Sequence, residues 1–246
     1  MKPFLILQLR PETDASDGEY LAILAKSGLK AHQTHRVRLD QLQKPPQIDL
    51  GQYSGVILGG GPGCVSDPHE KKSLIDQRCE SAALALMPDV VRTDFPLLGC
   101  CYGIGILGHF LGGEVSKAKY GEKPAAVTCT LTQEGRSDPL LSTMPTSFKT
   151  YVCHKEALQD LPPNCIHLAS SPACPFQIIR HGKNVYATQF HPELDSAGLE
   201  VRLNVYKDHS YFKPSEIKDL LASARREDVT APAHMLRNFV VRYTQH

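Results

Sequence analysis

Short apolar runs closed by glycine, proline or polar clusters recur along this chain, separated by stretches whose apolar residues return every three or four positions. Runs of the first kind predict strands at residues 4–9, 29–36, 54–58, 95–99 and 185–190. The longer pattern predicts a helix over 17–25, with Tyr20, Leu21, Leu24 and Ala25 as its apolar stripe, and another over 71–87 before the fourth strand. This alternation predicts an α/β fold: a mostly parallel central sheet with helices on both faces. Beyond Gly113 the apolar residues instead alternate singly in 126–131 and 147–152, which predicts a small antiparallel ribbon. Two further amphipathic helices are expected at 214–224 and 232–241, each with a proline near its start. Their stripes, Ile217/Leu220/Leu221/Ala224 and Met235/Leu236/Phe239/Val240, suit packing on the rest of the chain.

Composition narrows the function classes. A chain of 246 residues buries one substantial core, and a formal net charge of +1 gives no electrostatic reason to expect nucleic acid or an anionic membrane as partner. The apolar run at 4–9 is too short for a signal segment and nothing approaches a membrane span, so a cytoplasmic protein is expected. Eight cysteines lie scattered with no C-x-x-C pair. That spacing predicts reduced, mostly buried thiols and no metal site.

The chemistry gathers at three strand ends. Residues 95–99 run into Gly99-Cys100-Cys101-Tyr102-Gly103 and then into a helix-like stretch, the pattern of a nucleophile elbow with Cys101 at its centre. The positive end of the following helix favours a thiolate there. The strand at 185–190 leads into His191-Pro192-Glu193, an imidazole with a carboxylate to hold its tautomer. The strand at 54–58 ends in Gly59-Gly60-Gly61-Pro62-Gly63, whose backbone N–H groups suit a developing oxyanion. The run lacks the Lys-Ser/Thr ending of a phosphate loop.

Taken together, 57–62 (Ile-Leu-Gly-Gly-Gly-Pro), 96–103 (Pro-Leu-Leu-Gly-Cys-Cys-Tyr-Gly) and 189–193 (Gln-Phe-His-Pro-Glu) resemble, in order, the motifs of a class I glutamine amidotransferase domain. The form resembled is the glutaminase part of GMP synthase, occurring as a stand-alone chain. The resemblance covers about residues 1–195 and implies a flavodoxin-like domain there, with 196–246 as a C-terminal helical extension packed on the same domain. It implies a Cys101-His191-Glu193 triad that hydrolyses the side-chain amide of glutamine through a thioester, with no cofactor. Gly61 and Tyr102 supply the oxyanion hole, and Gly60, Gly103 and His154 contact substrate. Because no Ser-Gly-Gly-x-Asp-Ser pyrophosphate loop is present in these residues, ammonia would pass to a separate synthase subunit, or the chain would act as a free-standing glutaminase.

One position departs from the family pattern. Where the family carries a substrate-gripping glutamine, this chain has Gly105, which removes a contact and is expected to open space beside the elbow. Two alternatives therefore stay open at this level: a γ-glutamyl hydrolase acting on another γ-glutamyl compound, and a non-catalytic binding module.

Overall fold

A computed structural model describes residues 2–208 and 212–244. Eleven strands are assigned among them: β1 (Phe4–Gln8), β2 (Thr34–Arg38), β3 (Gly55–Leu58), β4 (Leu97–Cys100), β5 (Val115–Ser116), β6 (Glu122–Leu131), β7 (Ser147–His154), β8 (Ala157–Leu158), β9 (Cys165–Ser170), β10 (Ile178–His181) and β11 (Val185–Thr188). The helices are α1 (Thr13–Ser27), α2 (Leu74–Thr93), α3 (Tyr102–Phe110), α4 (Gln133–Ser137), α5 (Ser196–Val205), α6 (Ile217–Ala224) and α7 (Pro232–Tyr243).

Nine strands form one mixed sheet in the order β2-β1-β3-β4-β11-β10-β9-β6-β7, and β5 pairs with β8 in a separate two-stranded sheet. From β2 to β11 the neighbours run parallel, and from β11 onward they run antiparallel. The α/β architecture with helices on both faces is therefore as anticipated. The antiparallel ribbon is longer than its local pattern indicated and continues the central sheet, because β9 and β10 join β6 to β11.

The parallel strands β1, β3, β4 and β11 are buried along their whole length, which requires cover on both faces. Alternate residues serve opposite sides. Leu5, Leu7, Val56, Leu58 and Leu97 pack under Ala83, Leu86, Met87 and Val90 of α2. Phe4, Ile6, Ile57 and Leu98 pack under Ile23 of α1 and Met235, Leu236 and Phe239 of α7. Helix α2 starts where Ser73 Oγ accepts from the Asp76 N–H at 3.1 Å, and it runs beyond the expected end, through Pro88 to Thr93.

The stripe expected on α1 is corrected at two of its four positions: Tyr20 and Leu24 pack against the core, but Leu21 and Ala25 are exposed. Leu21 is 63% exposed, whereas Ala15, Ser16, Glu19 and Ile23 face inward. The helix is turned because Glu19 and Ser16 bind polar groups inside the protein: Gln8 Nε2 donates to the Ser16 carbonyl at 2.6 Å, and Arg10 Nε donates to Glu19 Oε2 at 2.8 Å. Among the described residues, no helix is long and apolar enough to cross a membrane.

Candidate active site

Helix α3 begins one residue after β4 ends, and the residue between them is Cys101, at φ 52° and ψ −94°. Positive φ is uncommon for a residue with a side chain and is held only by surrounding constraints. Here the Cys101 N–H donates to the Thr188 carbonyl at 2.7 Å, bonding the elbow to the end of β11. Glycine is needed beneath the turn: a Cβ at Gly99 would stand 3.1 Å from the Gly103 backbone, and one at Gly103 would stand 3.3 Å from the Leu58 carbonyl oxygen. Gly103 thus serves the close seating of α3 on β3 and β4.

Cys101 is 8% exposed, and burial pushes its thiol up to about 12, against the pull of Arg10 and Arg202. Desolvation disfavours the thiolate, so the resting group is a thiol. Its Sγ donates to the Cys153 carbonyl at 3.9 Å. All eight cysteines are free.

Strand β11 lies beside β4 with Thr188 opposite Cys100, so the residues that follow emerge at the elbow. His191 and Glu193 are both buried, and His191 Nδ1 lies 3.0 Å from Glu193 Oε1. Among the described residues His191 Nε2 has no hydrogen-bond partner, and none links the ring to Cys101; catalytic contacts of this kind commonly tighten when substrate binds. Gly60 lies directly beneath the ring, where a Cβ would come 2.5 Å from His191 Cε1 and 2.8 Å from Arg10 Nη2. The Gly60 N–H itself donates to Glu19 Oε2 at 3.3 Å.

Three residues of this site carry no local sequence signal. Arg202 Nη2 donates to Glu193 Oε1 at 2.5 Å, Arg10 pairs with Glu19, and Arg202 also lies 3.6 Å from Glu19. They come from α1, from the residues after β1, and from α5 far along the chain, so only folding brings them together. Burial, then Arg202, lowers His191 to about 4, with Glu193 opposing. Burial alone would raise Glu193, but His191 and Arg202 hold it well below the usual carboxylate range. The resting pair is a neutral imidazole on an ionised carboxylate.

Two cavities meet here, and Gly61 lines both. The first, about 20 Å³, is bordered by Cys101, Tyr102, Gly105, His154, Glu156 and Gln189. The second, about 50 Å³, is bordered by Arg10, Cys153, His191, Arg202, Tyr206 and a set of leucines. A single water needs roughly 10–15 Å³, so the Cys101 side is nearly filled in this state. His154 reaches this wall with both nitrogens engaged: Nε2 with Glu122 Oε2 at 2.9 Å and Nδ1 with the Glu156 carbonyl oxygen at 2.9 Å.

The space expected beside Gly105 is occupied. A Cβ there would lie 3.1 Å from Glu156 Oε1 and 3.4 Å from Val65 Cγ2. Glu156 accepts from the Val65 N–H at 2.8 Å, the Ser66 N–H at 2.9 Å and Ser66 Oγ at 2.7 Å, so its carboxylate fastens the loop after Gly63 against the elbow. Two groups, Glu122/His154/Cys174 and Glu19/His191/Glu193, bring metal-ligand atoms within 4.8 Å of one another. In the first, the Glu122 oxygens already accept from Ser171 at 3.1 Å and Gln177 at 2.7 Å.

The comparisons bear on the family and the fold. The family model for glutamine amidotransferase class-I matches residues 17–203. The chain belongs to that family. It is 33% identical over 205 residues to a GMP synthase [glutamine-hydrolyzing] of Prochlorococcus marinus (strain NATL2A), covering 80% of this chain and 34% of that protein. A GMP synthase of Thermosipho melanesiensis is 30% identical over 189 residues, covering 75% and 33%. The chain thus spans about a third of the length of these relatives. A solved glutamine amidotransferase from Thermotoga maritima superposes with a TM-score of 0.78 at 21% identity, over 100% of both chains. One from Methylobacillus flagellatus gives 0.75 at 18%, over 100% of this chain and 96% of that one.

Proposed function

We propose that this protein hydrolyses the side-chain amide of glutamine, with Cys101 as nucleophile, His191 as proton carrier and Glu193 as the residue that orients it. The observation that carries this reading is the strained Cys101 backbone at the β4–α3 junction, tied to the strand that delivers the buried His191–Glu193 pair. Because resting Cys101 is a thiol and resting His191 is neutral, proton transfer accompanies attack on the amide carbon. His191 then gives that proton to departing ammonia and, as base, activates the water that hydrolyses the thioester. The N–H groups of Gly61 and Tyr102 receive the oxyanion in both steps. No cofactor is required for this sequence. Ammonia would go to a synthase subunit separate from these residues.

Covalent labelling tests the assignment. A diazoketone analogue of glutamine should modify Cys101 selectively, excess glutamine should prevent it, and mass spectrometry should locate the adduct. Cys101→Ala should lower glutamate release by on the order of a thousandfold or more while leaving the thermal transition near its wild-type position. Wild-type turnover in that variant would sink the reading.

A further inference from the structure

Tyr102 does more at the elbow than follow the nucleophile. Its N–H is one of the two proposed oxyanion donors, and its buried ring lies against the glycine loop that carries the other. A Cβ at Gly61 would stand 3.0 Å from Tyr102 Cδ1, and one at Gly63 would stand 3.2 Å from both Cζ and the hydroxyl oxygen. The loop therefore rests on this ring, and the seating of the ring sets how far Gly61 stands from the Tyr102 N–H.

A phenylalanine would fill the same space. The tyrosine adds a hydroxyl that must be answered inside the protein. It donates to Glu80 Oε2 at 2.7 Å, and burial, then Glu80, pushes the phenol well above its ordinary value, so it stays a donor. Glu80, from α2, accepts in turn from Lys72 Nζ, at 2.7 Å through Oε1 and 2.6 Å through Oε2. Lys72 Nζ also donates to the Val65 carbonyl oxygen at 3.0 Å. The side chains of Lys72 and Glu80 are only 7% and 14% exposed, so this pair is largely withdrawn from water.

One chain of bonds thus reaches the glycine loop at several points. The ring meets it at Gly61 and Gly63, Lys72 ties it at Val65, and Lys72 itself stands at its far end, just before the Ser73 cap of α2. A largely buried ion pair adds little net stability over apolar residues of the same volume, and its best-attested use is to fix register. Here the register fixed is that of the loop against the elbow.

We infer that the Tyr102 hydroxyl, Glu80 and Lys72 form a clamp that fixes the Gly61 loop against the elbow, so that the two N–H groups proposed to receive the oxyanion keep one separation through both steps. The inference rests on the hydrolase reading given above and adds two positioning residues to it. Glu80 and Lys72 line neither cavity of the site and act through Tyr102 and Val65. Such a clamp works on the transition state. The oxyanion exists only while the tetrahedral intermediate does, so a loosened hole lowers kcat and leaves KM in place.

Tyr102→Phe tests the clamp with least disturbance, since it keeps the ring and the backbone N–H and removes only the hydroxyl. With glutamine as substrate, kcat should fall about ten- to a hundredfold, the scale of a donor misplaced by a fraction of its reach, with KM within about twofold of wild type. Glu80→Gln, whose amide oxygen still accepts from the hydroxyl, should lose less, and the double variant should lose less than the product of the two single losses. Alkylation of Cys101 by iodoacetamide, located by mass spectrometry, builds no oxyanion, so its rate in Tyr102→Phe should stay within about twofold of wild type. Unchanged kcat in Tyr102→Phe overturns the clamp. So does a rise in KM, or a loss of alkylation, as large as the loss of kcat, because the chain would then serve substrate binding or the nucleophile. The hydrolase reading is judged separately. If the wild type releases glutamate through Cys101 while Tyr102→Phe keeps its kcat, that reading stands and the clamp falls. If the wild type releases none, that reading falls and amide hydrogen exchange decides the clamp: faster exchange across residues 59–66 in Tyr102→Phe supports it, and unchanged exchange overturns it.

Discussion

His191 and His154 are both buried histidines bonded to a buried carboxylate, at 3.0 Å and 2.9 Å, and they differ in the nitrogen left over. In His154 the second nitrogen meets the Glu156 carbonyl oxygen, so the ring closes a network with Glu122, Ser171 and Gln177. In His191 the second nitrogen has no partner among the described residues, and the ring borders a cavity shared with the candidate oxyanion donor. A histidine–carboxylate contact therefore does not distinguish a base from a structural tie. What sets His191 apart is the unanswered nitrogen, together with burial and then Arg202, which disfavour its imidazolium.

Paired substitutions test this contrast most severely. His191→Asn should lower kcat/KM by on the order of 10²- to 10⁴-fold, as expected for a lost general acid–base group, while the protein stays folded. His154→Asn should act on stability, because Glu122 loses one of its buried hydrogen-bond partners, a loss costing about 1–3 kcal/mol. Turnover per folded molecule should stay near wild type, measured by active-site titration beside a denaturant melt. Equal loss of turnover in both variants, without loss of stability in the second, would erase the distinction.

The same contrast has a pH signature. Folded His191 holds its proton less readily than the unfolded chain, with a value near 4 against an ordinary 6.5. Between those values the unfolded state binds more protons, so stability is full above about pH 6.5 and declines as pH falls toward 4. The decline amounts to about 3 kcal/mol at the lower end. Glu193, held low in the folded state, acts in the same direction at still lower pH. Urea melts of wild type and His191→Asn across pH 4–7 should show the slope in the first and a much flatter line in the second. Parallel slopes would mean that other groups govern acid sensitivity. The acid limb of kcat/KM should likewise fall near pH 4 instead of near 6.5.

What could be read in the sequence follows the range of the interactions. Cys101, His191 and the Gly59–Gly61 run are visible because each is a short pattern at the end of one strand, where backbone geometry dictates residue type. Arg10, Glu19 and Arg202 are not, since each has its meaning only against a residue distant in the chain. Glu19 even misleads: a carboxylate in an amphipathic stretch reads as solvent-facing, which draws the stripe on α1 through Leu21. Helix α5, which carries Arg202, has no such pattern to announce it as an element. The antiparallel strands show locally, but nothing local says that a ribbon joins a parallel sheet.

Gly105 shows the same limit at a single residue, and it gives the smallest effect and the finest test. A glycine in place of the family's glutamine reads as lost volume and a lost contact. In the folded protein the place is taken by Glu156, supplied from beyond β7, which also fastens Val65 and Ser66. Gly105→Ala sets a helix-propensity gain of up to about 1 kcal/mol against a Cβ crowded at 3.1 Å, so its net effect on the melting midpoint should be slight. Gly105→Gln must displace either the carboxylate or the loop it holds, and should destabilise by about 1–3 kcal/mol without lowering KM for glutamine. Should the glutamine variant instead bind substrate more tightly at undiminished stability, the position would be a vacant subsite, and Glu156 would have no part in filling it.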